Sequence, residues 1–164
     1  MKNIILILLL VFPSLVKGQI TSNIISETEF NNIKINNVTL SNIKTTNGTL
    51  SQVTNLFSYS VLQNTQQPEE DYYDYTYDGF TIGFSENEIS AFEITNANWS
   101  ITIQDNTVTI GDHINLLGDV VFNTMRDGKK SIVYQYCDGC NNFISIRFNQ
   151  VTNVITEIIY IEQT

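Results

Sequence analysis

Cysteine, histidine, clustered carboxylates and clustered tyrosines are the residues here whose types and spacing can do chemistry. Cys137 and Cys140 form a CxxC pair, with no other cysteine in the chain. In an exported protein such a pair is a disulfide, a redox centre or half of a metal site. A redox pair needs a helix N-terminus to stabilise its thiolate, whereas this one brackets Asp138–Gly139, a turn signature. Zinc needs four ligands, and the sequence offers these two cysteines and a single histidine, His113. A structural disulfide that pins a turn is the favoured reading; its loop is so short that it contributes at most ~2 kcal/mol.

His113 follows Gly111–Asp112, where a general base can sit, but nothing in the sequence sets a nucleophile beside it. A structural, partly exposed histidine is expected. The acids Glu69, Glu70, Asp71, Asp74 and Asp78 lack the DxDxDG spacing of a calcium loop. Two of them can also serve as a glycosidase pair, whose separation is not legible in a sequence. They are read as the solvated side of a strand. No phosphate-binding glycine loop, GxSxG elbow or HExxH occurs, and no metal or cofactor is expected. Asn37, Asn47 and Asn98 stand in NxS/T sequons, which matter only in a eukaryotic secretory route.

The tyrosines sit on elements that the alternation of the sequence defines. In DYYDYTYDGFTIGF (71–84), Tyr73, Tyr75 and Tyr77 share one strand face and Tyr72, Asp74 and Thr76 the other. Asp78–Gly79 is a hairpin signal, and Phe80, Ile82 and Phe84 return as an apolar face. The same grammar recurs in SIVYQYCDGCNNFISIRF (131–148), with Ile132, Tyr134 and Tyr136, then Ile144, Ile146 and Phe148. Each hairpin precedes one more strand-like run, EISAFEI (88–94) and VITEIIYIE (154–162).

Upstream, NIKINNVTLSNI (32–43) parallels ITIQDNTVTIGDHI (101–114), and each leads into a segment with helical spacing. Thr49 and Asp112 are the expected N-caps. The fold expected is α+β: two diverged repeats, residues 19–98 and 99–164, each with short helices packed on a three-stranded antiparallel meander.

The N-terminus has the anatomy of a signal peptide over residues 1–18: Lys2, the apolar run IILILLLVF, Pro13, then Val16 and Gly18. That run is too short for a stable anchor, and the residue directly after the expected cleavage point is Gln19, not a cysteine. Cleavage leaves six basic against seventeen acidic residues, a formal charge of −11. Nucleic acids and anionic membranes are bound through clustered Lys and Arg, so both are poor partners. A periplasmic or extracellular protein is expected, with no stable membrane insertion.

The segments TLSNIKTTNGTLSQVTNLF (39–57) and TIGDHINLLGDVVF (109–122), with the two hairpins, resemble the SmpA/OmlA (BamE-like) pattern. In tandem they resemble the β-lactamase inhibitor protein family. The first copy ends in LFS where LFG or LGxP is typical, and the lipid anchor of the envelope-assembly members is missing. The resemblance implies an enzyme-inhibitor or envelope-scaffold role. The functional expectation is a non-enzymatic module that binds another protein, with Tyr72, Tyr73, Tyr75, Tyr77, Tyr134 and Tyr136 as aromatic anchors. The same tyrosines can equally be core. The alternatives are a carboxylate-based hydrolase of envelope sugars and a calcium-stabilised adhesion module.

Overall fold

The computed structural model describes residues 22–69, 72–125 and 127–162. The expected signal peptide (1–18), residues 19–21, Glu70, Asp71, Arg126 and the last two residues lie outside them. In chain order the elements begin with β1 (Asn23–Ile24), α1 (Glu27–Asn31), β2 (Lys34–Ile35), β3 (Val38–Thr39), α2 (Leu40–Lys44) and α3 (Leu50–Leu56). There follow β4 (Leu62–Glu69), β5 (Tyr72–Tyr77), β6 (Phe80–Ser85), β7 (Glu88–Ile94), β8 (Ser100–Ile103) and β9 (Asn106–Thr109). After a 3-10 turn over Ile114–Leu117 come β10 (Phe122–Thr124), β11 (Lys130–Gln135), β12 (Phe143–Phe148) and β13 (Ile155–Ile161).

These strands form a nine-stranded sheet, ordered β1-β11-β12-β13-β7-β6-β5-β4 with β10 also on β11, and a four-stranded sheet, β3-β2-β8-β9. The α+β reading is therefore corrected. Among the described residues the protein is mostly β, 46% strand against 15% helix with the 3-10 turn counted, and the three α-helices there have five, five and seven residues. The two meanders are not separate small sheets under helical cover. Their last strands, β7 and β13, pair antiparallel with Tyr160 opposite Phe92 and Ile158 opposite Ile94.

The physical reason is edge chemistry. A three-stranded sheet leaves two rows of unpaired backbone groups, and joining β7 to β13 satisfies one row from each meander. Both strands bury Ile94, Phe92, Ile158 and Tyr160 on the inner side, and the Phe92 and Tyr160 rings stack across the join at 5.2 Å. β2 and β8 likewise pair antiparallel, so both sheets run across the expected repeat boundary between residues 98 and 99.

The core is one continuous apolar cluster that draws on both sheets and all three helices, including Phe30, Ile43, Val53, Ile82, Ile101, Ile146 and Ile158. Helices this short do not stand alone; their caps and their buried faces hold them. Ser26 and Glu29 make a reciprocal capping box on α1. Glu29 also accepts from Gln104 Nε2 at 3.0 Å. The hydrogen bonds from Ser26, then that from Gln104, lower its pKa to about 2. Thr49 does stand at the N-cap of α3, but its side chain makes no capping bond. The second expected cap is displaced by one residue. His113 caps the 3-10 turn, its Nδ1 accepting from Asn115 N, while Asp112 accepts from Thr109 N at 2.9 Å.

Candidate functional site

The hairpin β5–β6 forms with Tyr77 opposite Phe80 and Tyr73 opposite Phe84, which puts Tyr73, Tyr75 and Tyr77 on the inner face. Burial then divides the six tyrosines. Tyr75, Tyr77 and Tyr134 are core side chains. Burial pushes the Tyr77 and Tyr134 phenols up to about 12, and the Tyr77 hydroxyl is buried without a hydrogen-bond partner. Tyr72 and Tyr136 are half-buried; the Tyr136 ring lies edge-on to Phe30 at 5.3 Å. Tyr73 is the most open, 37% exposed, and its hydroxyl accepts from Gln67 Nε2 at 3.2 Å. The six therefore do not make one aromatic surface, because the alternation that aligns Tyr73, Tyr75 and Tyr77 also buries Tyr75 and Tyr77 in the core.

Tyr73 and Tyr75 do meet at one place. A cleft of about 430 Å³ opens between the Asn47–Leu50 turn, β4 and β5, lined also by Thr65, Gln66, Gln67 and Asn87. Tyr75 forms its floor and donates to Gly48 O at 2.5 Å. Gly48 has a positive φ and packs against Phe84, so a side chain there would strike that ring at 2.9 Å. The cleft wall is thus fixed by a position that admits only glycine.

A second concavity was not legible from the tyrosine pattern. It encloses about 470 Å³ beside β10 and is lined by His113, Ile114, Asn115, Gly118, Asp119, Val120, Val121 and Phe122. Val121 is 47% exposed, Phe122 40% and Leu116, on the 3-10 turn, 50%. The Phe122 ring rests on Phe148 at 5.7 Å, with Lys130 Nζ 5.7 Å from its centroid. Asn23 fixes Val121 by donating to its carbonyl and accepting from its N–H. The signal available in sequence was the apolar run VVF after Gly118, which helical spacing disguised.

The remaining chemistry-bearing residues are placed as follows. Cys137 and Cys140 are joined in a disulfide. Asp78 lies in the β5–β6 turn, its carboxylate accepting from Asn96 and Asn98. Asp74 is on the outer face, where burial raises its pKa against a hydrogen bond from Tyr72. Among the described residues no three of His, Cys, Asp and Glu converge on a metal-sized site.

A carboxyl pair does occur, but away from the acidic stretch. Glu93 of β7 is hydrogen-bonded to Glu157 of β13, which raises the Glu93 pKa, as does burial. Arg147 Nη1 donates to Glu157 at 2.6 Å. A glycosidase needs its carboxyls ~5 Å or more apart to admit the sugar bond, and this pair is in direct contact on an open sheet.

No protein-family model matches the sequence, and no characterised protein is significantly similar to it. Among solved structures the chain is similar to a cysteine-rich secretory protein from Staphylococcus aureus subsp. aureus Mu50, with a TM-score of 0.42 and 11% identity. The match covers 69% of this chain and 42% of that one, so this chain corresponds to less than half of that structure. A likeness so distant carries no argument about function.

Proposed function

We propose that the chain is an exported, non-enzymatic protein-binding module of inhibitor or scaffold type, and that it binds through the apolar hollow beside β10. One observation carries this reading: Val121 and Phe122 stay 47% and 40% exposed while lining a single hollow with Ile114 and Val120. Apolar side chains scattered singly on a surface need no explanation, but a group around one concavity marks an interaction site. Phe122 is held by Phe148, so little rotamer freedom is lost when it docks. The acidity of the chain favours a partner with a basic rim around an apolar centre.

Export rests on the N-terminal sequence, and a disulfide suits an oxidising compartment. No helix among the described residues is long and apolar enough to cross a membrane.

The test is retention of proteins from envelope and culture fractions of the source organism on immobilised mature chain. The native chain is expected to retain a dominant partner that Phe122→Asp loses and Tyr73→Ala keeps. Near-UV circular dichroism establishes that both variants are folded. A partner retained equally by Phe122→Asp, or none at any ionic strength, overturns the reading.

A further inference from the structure

The tyrosine-walled cleft has a chemical character unlike the rest of this acidic molecule. None of the ten described residues that line it carries an acidic or basic side chain. It presents three carboxamides, Asn47, Gln67 and Asn87, with the hydroxyls of Thr49 and Thr65 and the ring of Tyr73, while Gln66, opposite Asp74, turns its side chain to the other face. Two of the amides are held by tight turns: Asn47 and Asn87 have φ values of +47° and +68°. Thr49 spends no side-chain hydrogen bond on capping α3.

Each carboxamide offers two donors and an acceptor in one plane, and each hydroxyl offers both. That set matches a ligand whose own groups both donate and accept. A charged ligand finds no counter-charge among the described residues that line the cleft. An apolar ligand would desolvate the amides without replacing their hydrogen bonds.

An added peptide strand is the other occupant to weigh, since β4 ends the sheet. The edge is poorly built for that. Its pairing with β5 is irregular at two places, between Leu62 and Asn64 and between Gln66 and Glu69. Pro68, in the same strand, has no N–H to give. Bulges and proline are the devices that keep an edge from pairing.

We propose that this cleft binds a neutral oligosaccharide, with the carboxamides of Asn47 and Asn87 and the hydroxyl of Thr65 bonding its hydroxyls and the Tyr73 ring covering one sugar face. Its volume of about 430 Å³ falls within the ~300–1,000 Å³ usual for small-ligand sites. The proposal is independent of the hollow beside β10.

The mature chain is applied to an array of neutral and acidic oligosaccharides together with extended polar peptides, and retained ligands are followed by calorimetry. Retention of neutral oligosaccharides is expected, at an affinity that Tyr73→Ala weakens at least tenfold and Thr65→Val several-fold. Phe122→Asp leaves that affinity unchanged. Amide chemical-shift changes on titration cluster at Asn47, Thr65, Tyr73 and Asn87, a readout that does not depend on a variant folding. An array that retains no neutral oligosaccharide overturns the proposal. So does retention of peptides or acidic sugars alone, or shift changes elsewhere on the molecule.

Discussion

The dipeptide Asp-Gly ends both hairpins, yet the two tips are held by different forces. At the first, Asp78–Gly79 is enclosed by the connection that follows β7. Trp99 Nε1 donates to Asp78 O at 2.7 Å, Asn98 Nδ2 donates to Asp78 Oδ2 at 2.9 Å, and Thr95 N donates to Gly79 O at 2.9 Å. At the second, Gly139 has nothing within 4 Å of where a side chain would begin. There the Cys137–Cys140 bond stands in for packing, helped by Gln135 Nε2 donating to Cys140 O at 2.7 Å. A turn folded against its own chain is specified by tertiary contacts, and a turn that projects into solvent is specified covalently. The first arrangement fails by losing its packing, the second by reduction.

The largest blow to this contrast is Trp99→Ala. Trp99 is fully buried, lies 4.4 Å from the Phe80 ring centroid and 5.5 Å from that of Phe57, and holds the first tip. Its truncation is expected to cost ~3–5 kcal/mol, read as a fall in the urea midpoint. A cost below ~1 kcal/mol would show that the first tip is held locally, like the second.

Gly79→Ala against Gly139→Ala is the sharper comparison, because both glycines have φ +76°. Each alanine pays the left-handed cost of ~1–2 kcal/mol. At residue 79 the new methyl also meets the Asn96 carboxamide at 2.0 Å. Displacing Asn96 loses its bonds to Asp78 and from Asn98 N, roughly a further 1 kcal/mol. Equal costs for the two variants would remove the distinction between the tips. Reducing Cys137–Cys140 completes the set, with an expected loss of at most ~2 kcal/mol because the loop is short.

These tips also show what a single sequence can carry. The turns, the strand faces and the disulfide were legible, because they depend on neighbours in the chain: Asp-Gly at a turn, alternation in a strand, two cysteines around a bend. The β7–β13 join was not. Nothing in EISAFEI or ITEIIYI says that its backbone edge will meet the other rather than solvent. The four-stranded sheet was missed for a related reason, since Lys34–Ile35 and Val38–Thr39 are too short to show a period. The alternation that made Tyr73, Tyr75 and Tyr77 look like a binding row is the same pattern that buries two of them. Periodicity assigns a face; the layer that covers it decides whether the face is a site.

The strands entering the two tips carry a matched pair of probes. Tyr77 precedes the first and Tyr134 the second, and burial, with neighbouring phenols for Tyr77, raises both to about 12. A pKa raised on folding means stability that is complete below the ordinary tyrosine value, ~10, and lost as pH rises towards 12. Ultraviolet titration is expected to show a late-ionising group of tyrosines whose release coincides with alkaline unfolding. Tyr77→Phe removes a buried hydroxyl that has no partner, so it should raise the unfolding free energy by about 1 kcal/mol, read as a higher urea midpoint. A destabilisation of that size would mean that the hydroxyl is bonded after all.

The smallest expected effect lies at the seam that joins the two halves. Hydrogen bonding to Glu157, then burial, raises the Glu93 pKa from its usual 4.5. Folding therefore favours its protonated form: the stability is present below ~4.5 and is lost as pH rises through the folded value. Glu93→Gln removes the charge that neutral pH imposes there. It is expected to gain a few tenths of a kcal/mol at about pH 7, since solvent screens so exposed a pair, and nothing at about pH 4. A gain at both pH values would trace the effect to packing instead of charge. The same denaturation series tests the seam itself, because fluorescence of Trp99, the single tryptophan, reports the packing around the first tip and not around the second. If its transition coincides with loss of sheet circular dichroism, β7 and β13 couple the packed tip to the stapled one. A Trp99 signal that melts first would make the tips separate folding units with a weak join between them.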